Sequence, residues 1–401
     1  MTIQEKFGFH KVLNTRGPAT ILGAARVQES IRKDISDMLG ESAEINELQR
    51  RANEAIVRLT GAEAGCAVHC TSAGMAVAAA AALAGNDPAK IKALPDITWP
   101  RRKIIIQKGQ VTGAGDCPVW QVIKMCGAEY VEIGEALDCA SFHLKAALDD
   151  TVAAAFFVME DTFAPNLLPL ETFVEICHAK NVPVIVDAAY LTDFRMLAKL
   201  NVDMAIYSGH KWLGGCTSGL IAGRKDLIHA CYLQEMGIGR PMKIGKEGII
   251  SVISAIDHWL NRDEEAISKV QTARAEEIRR EVEGLPGVTC DIQRSLYSPS
   301  IRLHVDIDEK KAGIAAWVIN EEMAHTDPII MTDDYYVNQG KIIFDMAFLD
   351  EGDGVTIGRI MREYLTGVRK PAAGLAQAVP RPRQDILYDW FDRWLDDEPR
   401  R

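Results

Sequence analysis

The chain has 401 residues, 48% of them hydrophobic and 25% charged, with 31 glycines and 16 prolines. That composition belongs to a folded globular protein and excludes collagen-like, low-complexity and largely disordered chains; at roughly 150 residues per domain the length asks for two to three packed units. Against 45 basic residues stand 56 acidic ones, and the net charge of −11 excludes a broad electrostatic affinity for nucleic acid or anionic lipid while leaving local basic pockets open.

The nine cysteines are odd in number, dispersed and mostly set in apolar runs, which reads as reduced thiols and points to the cytoplasm. The first ten residues carry Glu5 and Lys6 and no apolar core, so neither a signal peptide nor an anchor is expected there. Residues 64–86 contain no Asp, Glu, Lys or Arg and are long enough to mimic a membrane span. Their alanine content, with His69, Thr71, Ser72 and Asn86, predicts a buried strand, turn and helix instead.

Residues 1–50 form an N-terminal segment in this reading. From about residue 60 to 230, short β-branched or apolar runs alternate with helical periods, the mark of βαβ units feeding a mainly parallel sheet; the fold class is α/β. Seven strands are predicted, at residues 65–70, 103–107, 130–133, 152–159, 182–186, 204–207 and 219–222. Crossover helices fall at 119–126, 142–148 and 170–180, where apolar residues recur three and four apart. Beyond residue 245 a helical pattern at 247–262 leads into a charged helix ending near 282. Strand-like segments 288–293, 300–305 and 341–348 then alternate with helical 311–322 and 356–366, an α+β arrangement. The boundary is placed near 255, giving a large domain at 51–255 and a smaller one at 256–370. Residues 371–401 comprise a proline-containing linker and an amphipathic helix. Ile386, Leu387, Trp390, Phe391, Trp394 and Leu395 give that helix an apolar stripe, expected to pack on the same subunit or a partner. No internal repeat is evident.

The chemistry concentrates in two places. Val182-Pro-Val-Ile-Val-Asp187 is followed 24 residues later by Ser208-Gly-His-Lys211 and a glycine-rich stretch with Gly214, Gly215 and Gly219. In an open α/β sheet the ligand crevice lies at the C-terminal ends of the strands, and Asp187 and Lys211 both follow strands. A lysine and a carboxylate so placed fit pyridoxal 5'-phosphate: the amine forms a Schiff base with the aldehyde and the aspartate keeps the pyridine nitrogen protonated. Taken singly, Asp187 reads equally as a helix cap and Lys211 as a solvated loop residue; together with glycines that permit close backbone approach they favour the cofactor. The second place is Cys70-Thr-Ser-Ala-Gly-Met75 ahead of an alanine-rich helix. Thr71, Ser72, Ala73 and Gly74 would cradle a phosphate at the helix N-terminus, although Ser and Thr there also serve as plain caps. Ser208 is a further candidate phosphate donor, and His210 is given a structural or phosphate-side role in preference to acid/base work. Gln110 or Trp120 would cover the cofactor ring. Cys66, His69 and Cys70 have a metal-like spacing, but no second cluster completes a site and no metal is expected. Residues 333–336 read as a turn.

These motifs, with Leu13-Asn-Thr-Arg-Gly17, Ile21-Leu-Gly23, Gly214-Gly-Cys-Thr-Ser-Gly219 and Gly239-Arg-Pro-Met-Lys-Ile-Gly-Lys-Glu247, resemble the fold-type I pyridoxal-phosphate enzymes of the selenocysteine synthase-like group over about residues 10–260. Within that group the pattern is more similar to D-glucosaminate-6-phosphate ammonia-lyase than to bacterial seryl-tRNA selenium transferase. The latter usually has Asp where this chain has His210, and adds a tRNA-binding domain not expected here. The resemblance implies a mainly parallel seven-stranded large domain with a smaller C-terminal domain, and at least a homodimer. It places Arg240 by the substrate or its anion, with Lys243 and Lys246 continuing the cationic strip and Gln110 nearby; Arg16 and Arg26 are weaker candidates for the same cleft. A planar guanidinium suits a carboxylate, and lysines act as point charges for a second anion.

The expected activity is a lyase acting on an amino acid or aminosugar acid. Lys211 removes the Cα proton, and α,β-elimination gives a 2-oxo acid and ammonia. Racemisation or epimerisation is the alternative, selenium transfer to seryl-tRNA a more distant one, and a non-catalytic cofactor-binding protein the reading from another class. No nucleic acid or membrane partner is expected.

Overall fold

The computed structural model describes residues 1–111, 117–159, 166–294, 298–375, 378–392 and 394–395. Its internal contacts divide the chain into two units, Arg26–Arg262 and a second made of Met1–Ala25 with Asp263–Arg401.

Strands are numbered in chain order, and β1 (Val12–Thr15) belongs to the second unit. The first unit holds β2 (Ala64–Val68), β3 (Lys103–Gln107), β4 (Glu129–Ile133), β5 (Val152–Val158), β6 (Val184–Asp187), β7 (Met204–Ser208) and β8 (Gly219–Gly223). They form one seven-stranded sheet in the order β2-β8-β7-β6-β5-β3-β4. From β4 to β7 neighbours run parallel; β8 is antiparallel to both β7 and β2. Helices cover both faces, so the strands are apolar throughout rather than alternating. The side-chain period of two still assigns residues to faces: Ile104, Ile106, Phe156, Ile185 and Ile206 pack with the Thr71–Ala84 helix. Ile105, Phe157, Val186 and Tyr207 pack on the other side with Ile56, Phe173, Ile249 and Val252.

At the end of the sheet away from the strand C-termini, Asp203 is 2% exposed and fully partnered. It accepts from Val184 N at 2.8 Å and Arg224 Nη1 at 2.9 Å, and pairs with His178 Nε2 at 2.7 Å. A Cβ at Gly223 would fall 2.0 Å from the Asp203 carbonyl oxygen, so β8 must end in glycine to pass this knot.

The second unit holds β9 (Val288–Arg294), β10 (Ile301–Ile307), β11 (Ile329–Thr332) and β12 (Lys341–Asp345). An antiparallel sheet runs β12-β10-β9, and β1 pairs in parallel with β11. The Glu264–Val282 and Asp353–Leu365 helices share a core through Ile278, Val282, Ile357 and Met361. The segment expected as one helix at 311–322 is broken at Gly313, whose φ of +74° ends Glu309–Ala312 before Ala316–Met323 begins.

Two divisions differ from the sequence reading. The first 25 residues group with the C-terminal unit because β1 is a strand of that unit, whereas the Glu29–Leu39 helix buries Ile31 in the first unit's core. The Lys246–Asn261 helix stays whole in the first unit through Ile249, Val252 and Ile256, moving the division from 255 to 262. In the C-terminal Arg383–Asp392 helix, Ile386 and Phe391 are exposed, as are Trp394 and Leu395 beyond it. Within the linker, residues 376–377 lie outside the described residues. Among the described residues no helix is long and apolar enough to cross a membrane, and no three metal-ligating side chains cluster.

Burial pushes the thiols of Cys66, Cys126 and Cys177 up to about 12, and that of Cys231 far above its ordinary value, while Cys117 is exposed. Alkylation of native protein at pH 8, read by peptide mapping, is expected to modify Cys117 and spare those four until denaturant is added.

Candidate active site

β6 and β7 are parallel neighbours in which Asp187 pairs with Ile206, so Asp187 and Ser208 emerge at the same edge of the sheet. The chain then folds back tightly. Gly209 N donates to Ser218 O at 2.9 Å, Gly215 N to Gly209 O at 2.9 Å and Gly214 N to Lys211 O at 3.0 Å. A Cβ at Gly209 would sit 2.3 Å from Ser218 Oγ. One at Gly219 would sit 2.8 Å from the Cys70 carbonyl carbon and 3.1 Å from Thr71 N. Glycine at the start of β8 thus lets this loop lie against the first turn of the Thr71–Ala84 helix. The two motif regions meet.

Asp187 Oδ1 accepts from Ala189 N at 3.0 Å, and its other oxygen has no partner among the described residues. Burial pushes the carboxyl pKa up, against the pull of the Lys211 ammonium and the Ala189 N–H. Lys211 Nζ makes no hydrogen bond or ion pair among the described residues; it stands 3.4 Å from the centre of the Tyr190 ring. Ser208, 3% exposed, accepts from Lys211 N at 3.2 Å through Oγ, leaving its own O–H free to donate. His210 Nδ1 lies 3.3 Å from Ser218 O, so Nδ1 carries the proton and Nε2 the lone pair; burial holds its pKa below the usual value, with the Lys211 charge acting in the same sense.

At the helix start, Thr71 Oγ1 is buried without a hydrogen-bond partner. The Thr71 and Ser72 amides fall in the first turn, where no intrahelical acceptor exists. Ala73 N reaches only the weak acceptor Cys70 Sγ, at 3.4 Å. Gly74 differs from the expected cradle role: its N–H is committed to Cys70 O at 2.9 Å. What requires glycine there is packing, since a Cβ would lie 2.8 Å from Ile206 Cγ2 on β7.

Three more expectations are corrected. Gln110 is 1% exposed, and its amide both donates to Val158 O at 3.2 Å and accepts from Val158 N at 3.3 Å, which makes it a brace for the end of β5. Lys246 Nζ donates to the Leu39 and Glu41 carbonyls, capping the C-terminus of the Glu29–Leu39 helix instead of facing an anion. Arg16, in the second unit, forms a two-pronged pair with Asp334, at 3.1 and 3.0 Å. Arg240 and Lys243 remain exposed, with Glu235 at 3.7 Å from Arg240. Trp120 has Lys124 over its ring at 5.2 Å and no described contact with Asp187 or Lys211. Sequence reasoning missed Tyr190, although its place three residues after Asp187, in the same strand-exit loop, was a usable signal.

A mainly parallel sheet with a lysine and an aspartate at adjoining strand exits, facing a helix N-terminus, defines the fold of pyridoxal-phosphate enzymes of type I. The chain belongs to the aminotransferase class-V family, whose profile matches residues 35–293. It is similar to D-glucosaminate-6-phosphate ammonia lyase of Salmonella typhimurium, with 30% identity over 363 residues covering 90% of this chain and 97% of the relative. It is equally similar to 5'-C-glycyluridine monooxygenase-decarboxylase of a Streptomyces species, with 31% identity covering 90% of this chain and 91% of that protein. The solved structure of a D-glucosaminate-6-phosphate ammonia-lyase matches with a TM-score of 0.84 at 29% identity, over 92% of this chain and 99% of that one.

The family implies pyridoxal phosphate, and the residues present fit it. An orphaned buried hydroxyl at Thr71, an incompletely partnered, half-buried carboxylate at Asp187 and a lysine amine without a hydrogen bond are the three complements such a group needs.

The folded pKa of Asp187 lies above its unfolded value, so the folded state holds the extra proton between the two and stability falls as pH rises through that window. Cofactor-free Asp187→Asn protein is therefore expected to melt higher than wild type at pH 7, the gap closing below about pH 4. Lys246→Met is expected to lower stability by about 1 kcal/mol in denaturant titration and to leave cofactor loading unchanged.

Proposed function

We propose that this chain is a pyridoxal-phosphate-dependent lyase that releases a 2-oxo acid and ammonia from an amino acid or aminosugar acid. The observation that carries the proposal is the meeting of Asp187 and Lys211 at one sheet edge, close enough for the lysine charge to act on the carboxylate while each retains unfilled bonding capacity.

When bound, pyridoxal phosphate supplies a carbonyl for amine exchange and a ring that withdraws the electrons left at Cα. Asp187 would hold positive charge on the ring nitrogen, and its partly desolvated setting would strengthen that pairing. Thr71 and Ser208 would donate hydroxyl protons to the phosphate, and the Thr71 and Ser72 amides would add the helix-terminus field. Lys211 Nζ would hold the cofactor and would take up the proton from the substrate's Cα. His210 Nε2 offers a neutral acceptor beside it. Arg240 and Lys243 receive the anionic groups of the substrate; the exposure of both and the loose 3.7 Å pairing of Arg240 support this.

The nine cysteines, all unpaired, support placement in the reducing cytoplasm, and resemblance to the family supports at least a homodimer. A second reading rests on the Streptomyces relative, whose name records monooxygenation and decarboxylation: the substrate would then take up oxygen and lose carbon dioxide.

After addition of pyridoxal phosphate, borohydride is expected to leave a reduced adduct on the peptide carrying Lys211, and Lys211→Ala to abolish it. Amino acids and aminosugar acids incubated in deuterated water are expected to yield 2-oxo acid and ammonia without oxygen uptake. Cα exchange alone would assign a racemase, and oxygen uptake with carbon dioxide the second reading.

A further inference from the structure

Tyr190 has no role in the chemistry set out above, and its position is unusual. The Lys211 ammonium stands 3.4 Å from the centre of its ring, well inside the distance at which a cation is attracted by the negative face of an aromatic. The turn that carries it is fixed by its backbone. Ala188 N donates to Ile206 O at 2.8 Å, Ala189 N to Asp187 Oδ1 at 3.0 Å and Leu191 N to Ala188 O at 3.0 Å, so the turn carrying Tyr190 is pinned to β7 and to the catalytic carboxylate. Two other titratable groups act electrostatically with Lys211: Asp187 from the exit of β6, and His210 from its own loop, with His69 beyond it.

We propose that Tyr190 is a positioning residue that seats the protonated amine of Lys211 on its ring face. The inference rests on reading Lys211 as the cofactor-anchoring lysine. In the proposed reaction the Cα–H bond breaks, its electron pair remains with the substrate, and the proton passes to Nζ, so an ammonium is created in a pocket whose carboxylate is then committed to the ring nitrogen. Asp187 cannot serve both cations. The aromatic face accepts this second charge without adding a competing anion, and it returns Nζ to one fixed place between its anchoring and proton-carrying roles. With Tyr190 41% exposed, an interaction of this kind shifts an equilibrium by about two- to five-fold.

The test uses the full chain freed of cofactor with hydroxylamine, so that it reads the ring and the amine directly. Trace acetylation of lysines is measured at pH 8 by peptide mapping, in wild type, Tyr190→Phe and Tyr190→Leu, with the exposed Lys145 as internal reference. Phenylalanine keeps the ring face and is expected to leave the Lys211 labelling rate within measurement error of wild type. Leucine keeps apolar bulk without the quadrupole and is expected to let Lys211 label about two- to five-fold faster. Circular dichroism confirms that each variant is folded. A leucine variant that labels like wild type, or a phenylalanine variant that labels like leucine, overturns the proposal. If wild type gives no borohydride adduct on Lys211, the lyase reading fails separately, because the acetylation series contains no added cofactor.

Discussion

A carboxylate withdrawn from water can be satisfied or left open, and the first unit contains one of each at opposite ends of its strands, Asp203 buried and Asp187 half-buried. Asp203 is surrounded by an amide, an imidazole and a guanidinium, which repay its desolvation and tie three strands together. Asp187 has one amide and a nearby ammonium, and its raised pKa records the remaining cost. A fold optimised only for stability would not keep that arrangement. The core on both faces of the sheet holds the strand ends, and with them the open valence of Asp187, in register.

Much of this was legible in the sequence. All seven strands of the main sheet were visible because both-face burial demands unbroken β-branched or alanine runs, and helices between them restore the 3.6 period. The β1–β11 pair was not visible: four residues cannot establish a period, and their partners are 317 positions apart. The same limit displaced the domain division, since the texture of a sequence changes where helices lengthen, whereas packing divides where buried faces change partners.

Of the candidate site, Asp187, Lys211 and the start of the Thr71–Ala84 helix, which the fold brings together, were legible as motifs, and the polar residues beside them less so. Gln110 and Lys246 are polar residues beside functional motifs, and sequence offers no way to see the backbone carbonyls and amide that already occupy them. Gly74 was read as an anion ligand when its lack of a side chain serves the contact with Ile206. Tyr190 was passed over for the converse reason: an aromatic after a strand usually belongs to the core, and only the placement of Nζ over its ring marks it as something else.

The Thr71–Ala84 helix is buried on nearly every side, and most of its surface is alanine and glycine. Its narrowness makes it a spacer of fixed gauge between the sheet and the layer outside it. Any methyl group added along residues 76–81 has nowhere to go, so the whole rod would ride outward and carry the hydroxyl of Thr71 with it. The position of the Thr71 hydroxyl is therefore calibrated several turns away from it, by side chains with no polar atom of their own.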